Sequence, residues 1–261
     1  MKRWPNLILP VALPLTGAVV FFLILEGVTR LEVVPPIYLP RASLVLSRIG
    51  ELAHDPAFLR HVGATLLAWA SGLGLAIVMG VALGTIVGTS DLAYRMVSPV
   101  IEFMRPIPSV ALIPLGIILW GQGFLTKIIL VAYATLWPIL YNATYGAHDV
   151  DPVAVDTARS FGLRRLAVIR CISLPSAAPF ILTGIRISAS IGLIVVVGTE
   201  LLAAADSGIG SFILFASSNG GQMDTVLAGA AIAGLLGLAV NFALERLEHC
   251  LFAWRYLGAE K

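Results

Sequence analysis

The sequence predicts an all-α integral membrane protein with about six transmembrane helices. Three observations carry that expectation. Hydrophobic residues make up 58% of the chain and charged residues 12%, where a soluble domain carries roughly a quarter charged residues to solvate its surface. Mean hydropathy is +0.93. Apolar runs of ~20 residues, the length that crosses a hydrocarbon core of ~30 Å, recur along 261 residues and leave no room for a substantial soluble domain.

The first run, 7–25, follows Met1-Lys2-Arg3 and resembles a signal peptide. It is too long for the usual apolar core of such a signal and leads through Glu26 to Pro35-Pro36 without a small-residue cleavage site, so it reads as a retained first helix. Residues 40–61 alternate Arg41, Arg48, Glu51, His54 and Asp55 with Leu44, Leu46, Ile49 and Leu52. That pattern is an amphipathic helix too polar to span, lying at the interface or on the bundle.

The second span covers 62–87, with Gly72, Gly74, Gly80, Gly84 and Gly88 at spacings that admit a neighbouring helix closely. The third, 99–120, is interrupted by Pro106, Pro108 and Pro114. Each proline removes a backbone donor, and unwound backbone at membrane depth is tolerated only within protein or along a wet cavity. The segment is therefore expected to face the interior. Spans four, five and six cover 127–145, 178–204 and 226–244.

Six spans place both termini on one side. With the amino end inside, the inner face receives Lys2, Arg3, Arg95, Arg159, Arg164, Arg165, Arg170, Arg246, Arg255 and Lys261. The outer face receives Arg30, Arg41, Arg48, Arg60 and Lys127. Ten against five favours cytoplasmic termini, because Lys and Arg concentrate on the inner side.

Composition also excludes functions. A formal net charge of +2 with dispersed basic residues gives no phosphate-binding face, so no nucleic-acid partner is expected. Cys171 and Cys250 stand alone, and His54, His61, His148 and His249 lack metal-ligand spacing, which leaves no constellation for a membrane-embedded enzyme. No Gly-x-x-x-x-Gly-Lys-Ser/Thr loop is present to cradle nucleotide phosphates.

The cytoplasmic stretch 148–177 is longer than an ordinary connection and is apolar enough to be ordered. Asp151-Pro152 is a helix start, Gly162 a helix end, and Ala154, Ala158 and Phe161 are expected to share a face. A second helix carries Leu163, Leu166, Ile169 and Ile172 at intervals of three, with Arg164, Arg165 and Arg170 among them, and Pro175 is expected to stop it. On these terms alone the element is either a docking surface or an amphipathic connector drawn to anionic lipid.

The spacing carries more. Asp156-Thr157-Ala158, three residues, Gly162, nine residues, then Ile172-Ser173-Leu174-Pro175 resembles the EAA loop of bacterial ABC-importer permeases. Asp156 and Thr157 replace the family's Glu and first Ala; the gap lengths and the Gly, Ile, Leu and Pro positions match. Arg105-Pro106-Ile107-Pro108, the run on to Leu115, Trp120-Gly121, Gly184-Ile185-Arg186, Glu200 and Gly208-Ile209-Gly210 resemble the nitrate/sulfonate/taurine permease subfamily. Ala68 departs from it, where an arginine is usual.

The resemblance implies a type I ABC-importer permease (MetI-like) fold in a bacterial inner membrane. It divides the chain into a first helix and amphipathic segment (1–60), a membrane core (61–255) holding the coupling loop 148–177, and a tail (256–261). It further implies a second permease subunit as a homodimer, two cytoplasmic ATPase subunits that use ATP and Mg, and an external substrate-binding protein. No cofactor would be bound by this chain. Asp156, Thr157, Ala158, Arg159, Phe161, Gly162, Ile172, Leu174 and Pro175 would couple to the ATPase. Glu102, Arg105, Pro106, Pro108 and Glu200 are candidates for the translocation path of a small anion, since charge within a span defaults to function. Glu102 and Arg105, three residues apart and close to the cytoplasmic end, read first as a structural ion pair at the membrane interface. The competing function, a secondary transporter with broken helices, would show inverted repeats and no docking loop.

Overall fold

The apolar runs fold into helices, as backbone without water to bond must. The computed structural model describes residues 9–31, 34–35, 37–203, 207–218 and 222–251, and every regular element among them is helical. In chain order these are α1 (Leu9–Arg30), α2 (Ala42–Leu52), α3 (Pro56–Gly88), α4 (Asp91–Met104), a 3-10 turn (Ser109–Leu112), α5 (Ile113–Trp120) and α6 (Phe124–His148). Then follow α7 (Pro152–Ser160), α8 (Arg165–Val168), a π turn (Ile169–Ser173), α9 (Leu174–Ala203), α10 (Ile209–Ser218) and α11 (Met223–Leu251).

Among the described residues four helices are long and apolar enough to cross a membrane, and a bent pair, α4 with 109–120, makes a fifth if counted as one span. The expected first span falls on α1, a helix of 22 residues that is not among these candidates, so the described residues give up to five spans where six are expected. Leu7 and Ile8 at its start, and the tail 256–261, lie outside the described residues. The second span begins earlier than expected, at Pro56, because the Asp55 carboxylate accepts from Ala57 N at 2.9 Å and starts the helix there.

The third span also departs from expectation. Its break is confined to Arg105–Pro108, where the axis bends by 77°. Pro114 unwinds nothing, since it sits in the first turn of α5, where no intrahelical donor is needed. Only Ile113 and Gly116 of α5 are buried, while Val110, Leu115, Ile118 and Leu119 are exposed. The segment thus faces the interior along one stripe rather than as a whole.

The chain divides into two compact units, 1–59 with 212–232, and 60–211 with 233–261. In the first, Glu26 near the end of α1 accepts from Arg30 Nε at 2.9 Å and from Ser43 N at 3.1 Å, tying α1 to α2. Arg48 reaches Glu51 at 2.6 Å and Asp224 at 3.4 Å. Phe58 is buried edge-on to Phe212, with ring centres 4.8 Å apart.

In the second unit α6 and α9 form the central pair, with α3 against α6. Ile139, Ala143, Ala147, Ala177, Ile181 and Ala189 fill their contact. Four of the five glycines predicted to admit a neighbour do so: Gly72, Gly80, Gly84 and Gly88 all abut α6, and a methyl at Gly84 would lie 2.6 Å from Ala143 Cβ. Gly74 faces open space.

Candidate functional site

The stretch 151–175 is built by local chemistry. The Asp151 carboxylate accepts from Val153 N at 2.8 Å and Pro152 takes the first helical position, so α7 starts where expected. It ends in a Schellman arrangement: Gly162 N donates to Arg159 O at 2.8 Å and Leu163 N to Ala158 O at 3.2 Å. Gly162 has φ +78, the left-handed conformation this closure needs, and faces open space. Arg159 in the last turn opposes the partial negative charge there.

Which face packs differs from expectation. Ala158 is buried and Val155 half-buried, whereas Ala154 and Phe161 do not join them. Phe161 is the C-cap at the very end of α7, and its side chain is 81% exposed. Asp156, Thr157 and Arg159 are exposed, with Arg159 Nη1 3.4 Å from Asp156 Oδ1. A cavity of about 330 Å³ lies beneath the element, lined on one side by Asp156, Arg159 and Arg165 and on the other by Gly88, Asp91 and His148.

Pro175 does not end the second helix. From Arg165 to Ala203 the chain is one helical run of 39 residues, with the π turn as its joint. A proline at 175 lacks a donor and crowds the carbonyl of residue 171, and a π turn relieves both without a break. Ile172 and Leu174 are half-buried and Pro175 exposed. Of the expected coupling set, Asp156 to Gly162 thus lie on α7 and its closure, and Ile172, Leu174 and Pro175 on the run that continues into a membrane helix.

The translocation-path candidates do not gather. Glu102 is exposed on α4, and among the described ion pairs none joins it to Arg105. Arg105 lies over the Tyr141 ring instead, 4.3 Å from its centre. Pro106 and Pro108 form the bend. Glu200 is elsewhere: Lys127, its partner, is 14 residues from Tyr141 along α6, or about 21 Å.

Glu200 is fully buried. Its carboxylate accepts from Lys127 Nζ at 3.1 Å, from Thr65 Oγ1 at 2.9 Å and from Gly210 N at 3.1 Å. Thr65 Oγ1 also accepts from Ile209 N at 2.9 Å, His61 Nδ1 accepts from Gly208 N at 3.0 Å, and Lys127 Nζ donates to Ser207 O. The first amides of α10 are thus capped by α3 and α9 side chains. Gly208, at φ +133, leaves the space that the Glu200 carboxylate occupies. Lys127, Thr65 and His61 escaped the sequence reading, which placed Lys127 among the outer cations; the available signal was a lysine opening an apolar run, where it needs a partner.

Residues 72–251 match the family model of the binding-protein-dependent transport system inner membrane component. The chain belongs to that family. It is 31% identical over 257 residues to the taurine transport system permease protein TauC of Escherichia coli (strain K12), covering 97% of this chain and 92% of TauC. It is 28% identical over 187 residues to the nitrate import permease protein NrtB of Leptolyngbya laminosa, covering 72% and 66%. The fold is similar to a chain of the inward-facing MetNI methionine ABC transporter, with a TM-score of 0.62 and 18% identity over 74% of this chain and 95% of that one. The chain is accordingly a multi-pass ABC-importer permease subunit of the inner membrane with a MetI-type fold, and ATP is used by a partner. Membership sets aside the secondary transporter.

Proposed function

We propose that this permease forms the path for a small anion of the sulfonate or nitrate type, and that the 151–175 element docks it on a cytoplasmic ATPase. The observation that carries the docking is Phe161. An 81% exposed phenyl ring, on an element that also exposes Val153 and Leu166, is an apolar knob that the described residues leave uncovered. A cleft in a partner would cover it, with Asp156 and Arg159 on the flank supplying orienting charge and Gly162 closing the knob.

The anion reading draws on the relatives, which are named for taurine and nitrate. Arg105 at the bend, with Pro106 and Pro108, supplies an exposed cation held over the Tyr141 ring that could attract an oxyanion. Glu200, whose acceptor positions are filled internally, acts in this reading as a structural acid rather than a lining residue.

The working assembly is a homodimer of this chain with two ATPase subunits and an external binding protein, both chain termini being cytoplasmic. The ten-to-five excess of Lys and Arg on the side of the termini supports that orientation.

Uptake by proteoliposomes holding the chain with its ATPase and binding protein tests the reading. Taurine, nitrate and an aliphatic sulfonate are offered with and without ATP. ATP-dependent accumulation of one of them is expected. Accumulation that persists without ATP, or accumulation of none of the three, overturns the ATP-driven anion reading.

A further inference from the structure

One intramembrane cation lies outside both sites. Arg186 is on α9, 12 residues beyond Leu174, which is about 18 Å along the helix. A charge at that depth is costly and needs partners. All three of its guanidinium nitrogens face α11. Nε donates to Asn241 Oδ1 at 3.0 Å, Nη2 reaches Glu245 Oε2 at 3.2 Å and Nη1 reaches Glu248 Oε2 at 3.6 Å. Asn241, Glu245 and Glu248 stand at i, i+4 and i+7, one stripe of α11.

Toward the other end the two helices meet through apolar side chains: Leu236 and Val240 of α11 pack against the core around Leu193 and Val196 of α9. An apolar groove of about 710 Å³ runs between them, lined by Leu193, Val197 and Leu201 on α9 and by Leu236, Gly237 and Asn241 on α11. Apolar packing beside such a groove is without direction. The planar arginine fork, by contrast, fixes both distance and register. It also sits on the helix that runs unbroken from the cytoplasmic element, 165–203.

We infer that Arg186 is a positioning residue for transport: it ties α11 to α9, so that the last span follows the helix driven from the cytoplasmic side. The inference rests on the docking reading above. Without the tie, α9 would move and α11 would lag across the groove. Interhelical shifts in such transitions are about 1–2 Å, small enough for one three-point contact to transmit or to lose.

A distance measurement in the whole complex tests this. In a C171S/C250S background, spin labels at Ile187→Cys and Leu238→Cys, both exposed in this chain, report the α9–α11 separation. It is read with the ATPase subunits bound, before and after trapping with ATP, Mg and vanadate. The intact clamp should keep the separation unchanged and narrowly distributed in both states. R186M/E245Q/E248Q removes the link without leaving an unpaired charge; in it the separation should broaden and shift by about 1–2 Å on trapping. R186K, which keeps one contact, should fall between.

A label at Val153→Cys separates the two claims. If it responds to trapping while the triple variant's α9–α11 distance stays fixed, docking stands and the clamp inference is overturned. If it is silent, the docking reading fails and takes this inference with it.

Discussion

At Glu200 a carboxylate and an ammonium are sealed from solvent, every acceptor position taken by α3, α6 or the start of α10. At 151–175 the charges of Asp156 and Arg159 stand in solvent, and so does a phenyl ring. Both regions depart from the apolar composition around them. The buried one satisfies itself; the exposed one leaves its apolar surface for something else to cover. Charge inside a membrane protein therefore does not by itself mark the transport path, and the state of its partners decides what it does. The same substitution chemistry should give opposite outcomes at the two places.

The largest effect is expected at the buried end. E200A strands Lys127, 3% exposed, and should cost ~3–5 kcal/mol. That would appear as a collapse of the detergent melting temperature and of membrane abundance. K127M/E200Q removes both charges and should recover most of the loss. A Glu200 that lined the path would instead tolerate alanine in the melt and fail only in uptake.

T65V sharpens the same point more mildly. It removes a hydroxyl that donates to Glu200 and accepts from Ile209 N, and should cost ~1–3 kcal/mol, read as a lower melting temperature. At the exposed end the structural costs shrink. D151A removes the cap on α7 and should cost ~1 kcal/mol, seen as faster amide exchange over 152–160 with the global melt unchanged. G162A meets no neighbour, so only the left-handed backbone is strained, by ~1–2 kcal/mol. Exchange confined to residues near 162 checks that.

Much of this contrast could be read from the chain beforehand. The Asp151-Pro152 start and the Gly162 stop are local signals, and the structure carries both. Glu200 and Lys127 are 73 residues apart, and no periodicity announces a pairing at that range. Lys127 looked like a loop cation because it opens an apolar run. Phe161 keeps the helical spacing to Ala158 but stands at the end of α7 and is exposed, and spacing alone does not tell where a packed face stops. Pro175 read as a stop because a π turn leaves no sequence mark that an ordinary helix end lacks. Arg186 falls within its motif, but its ion pairs are with Glu245 and Glu248, which in sequence look like surface acids.

The most direct measurement pairs stability with partner binding in one variant. F161D alters a side chain that touches solvent, so its melting temperature should match the parent, the stability change staying within about 0.5 kcal/mol. Co-purification of the ATPase subunit with F161D should be lost. Full retention of the ATPase by F161D, at parental stability, would contradict the claim that this exposed element is the docking site.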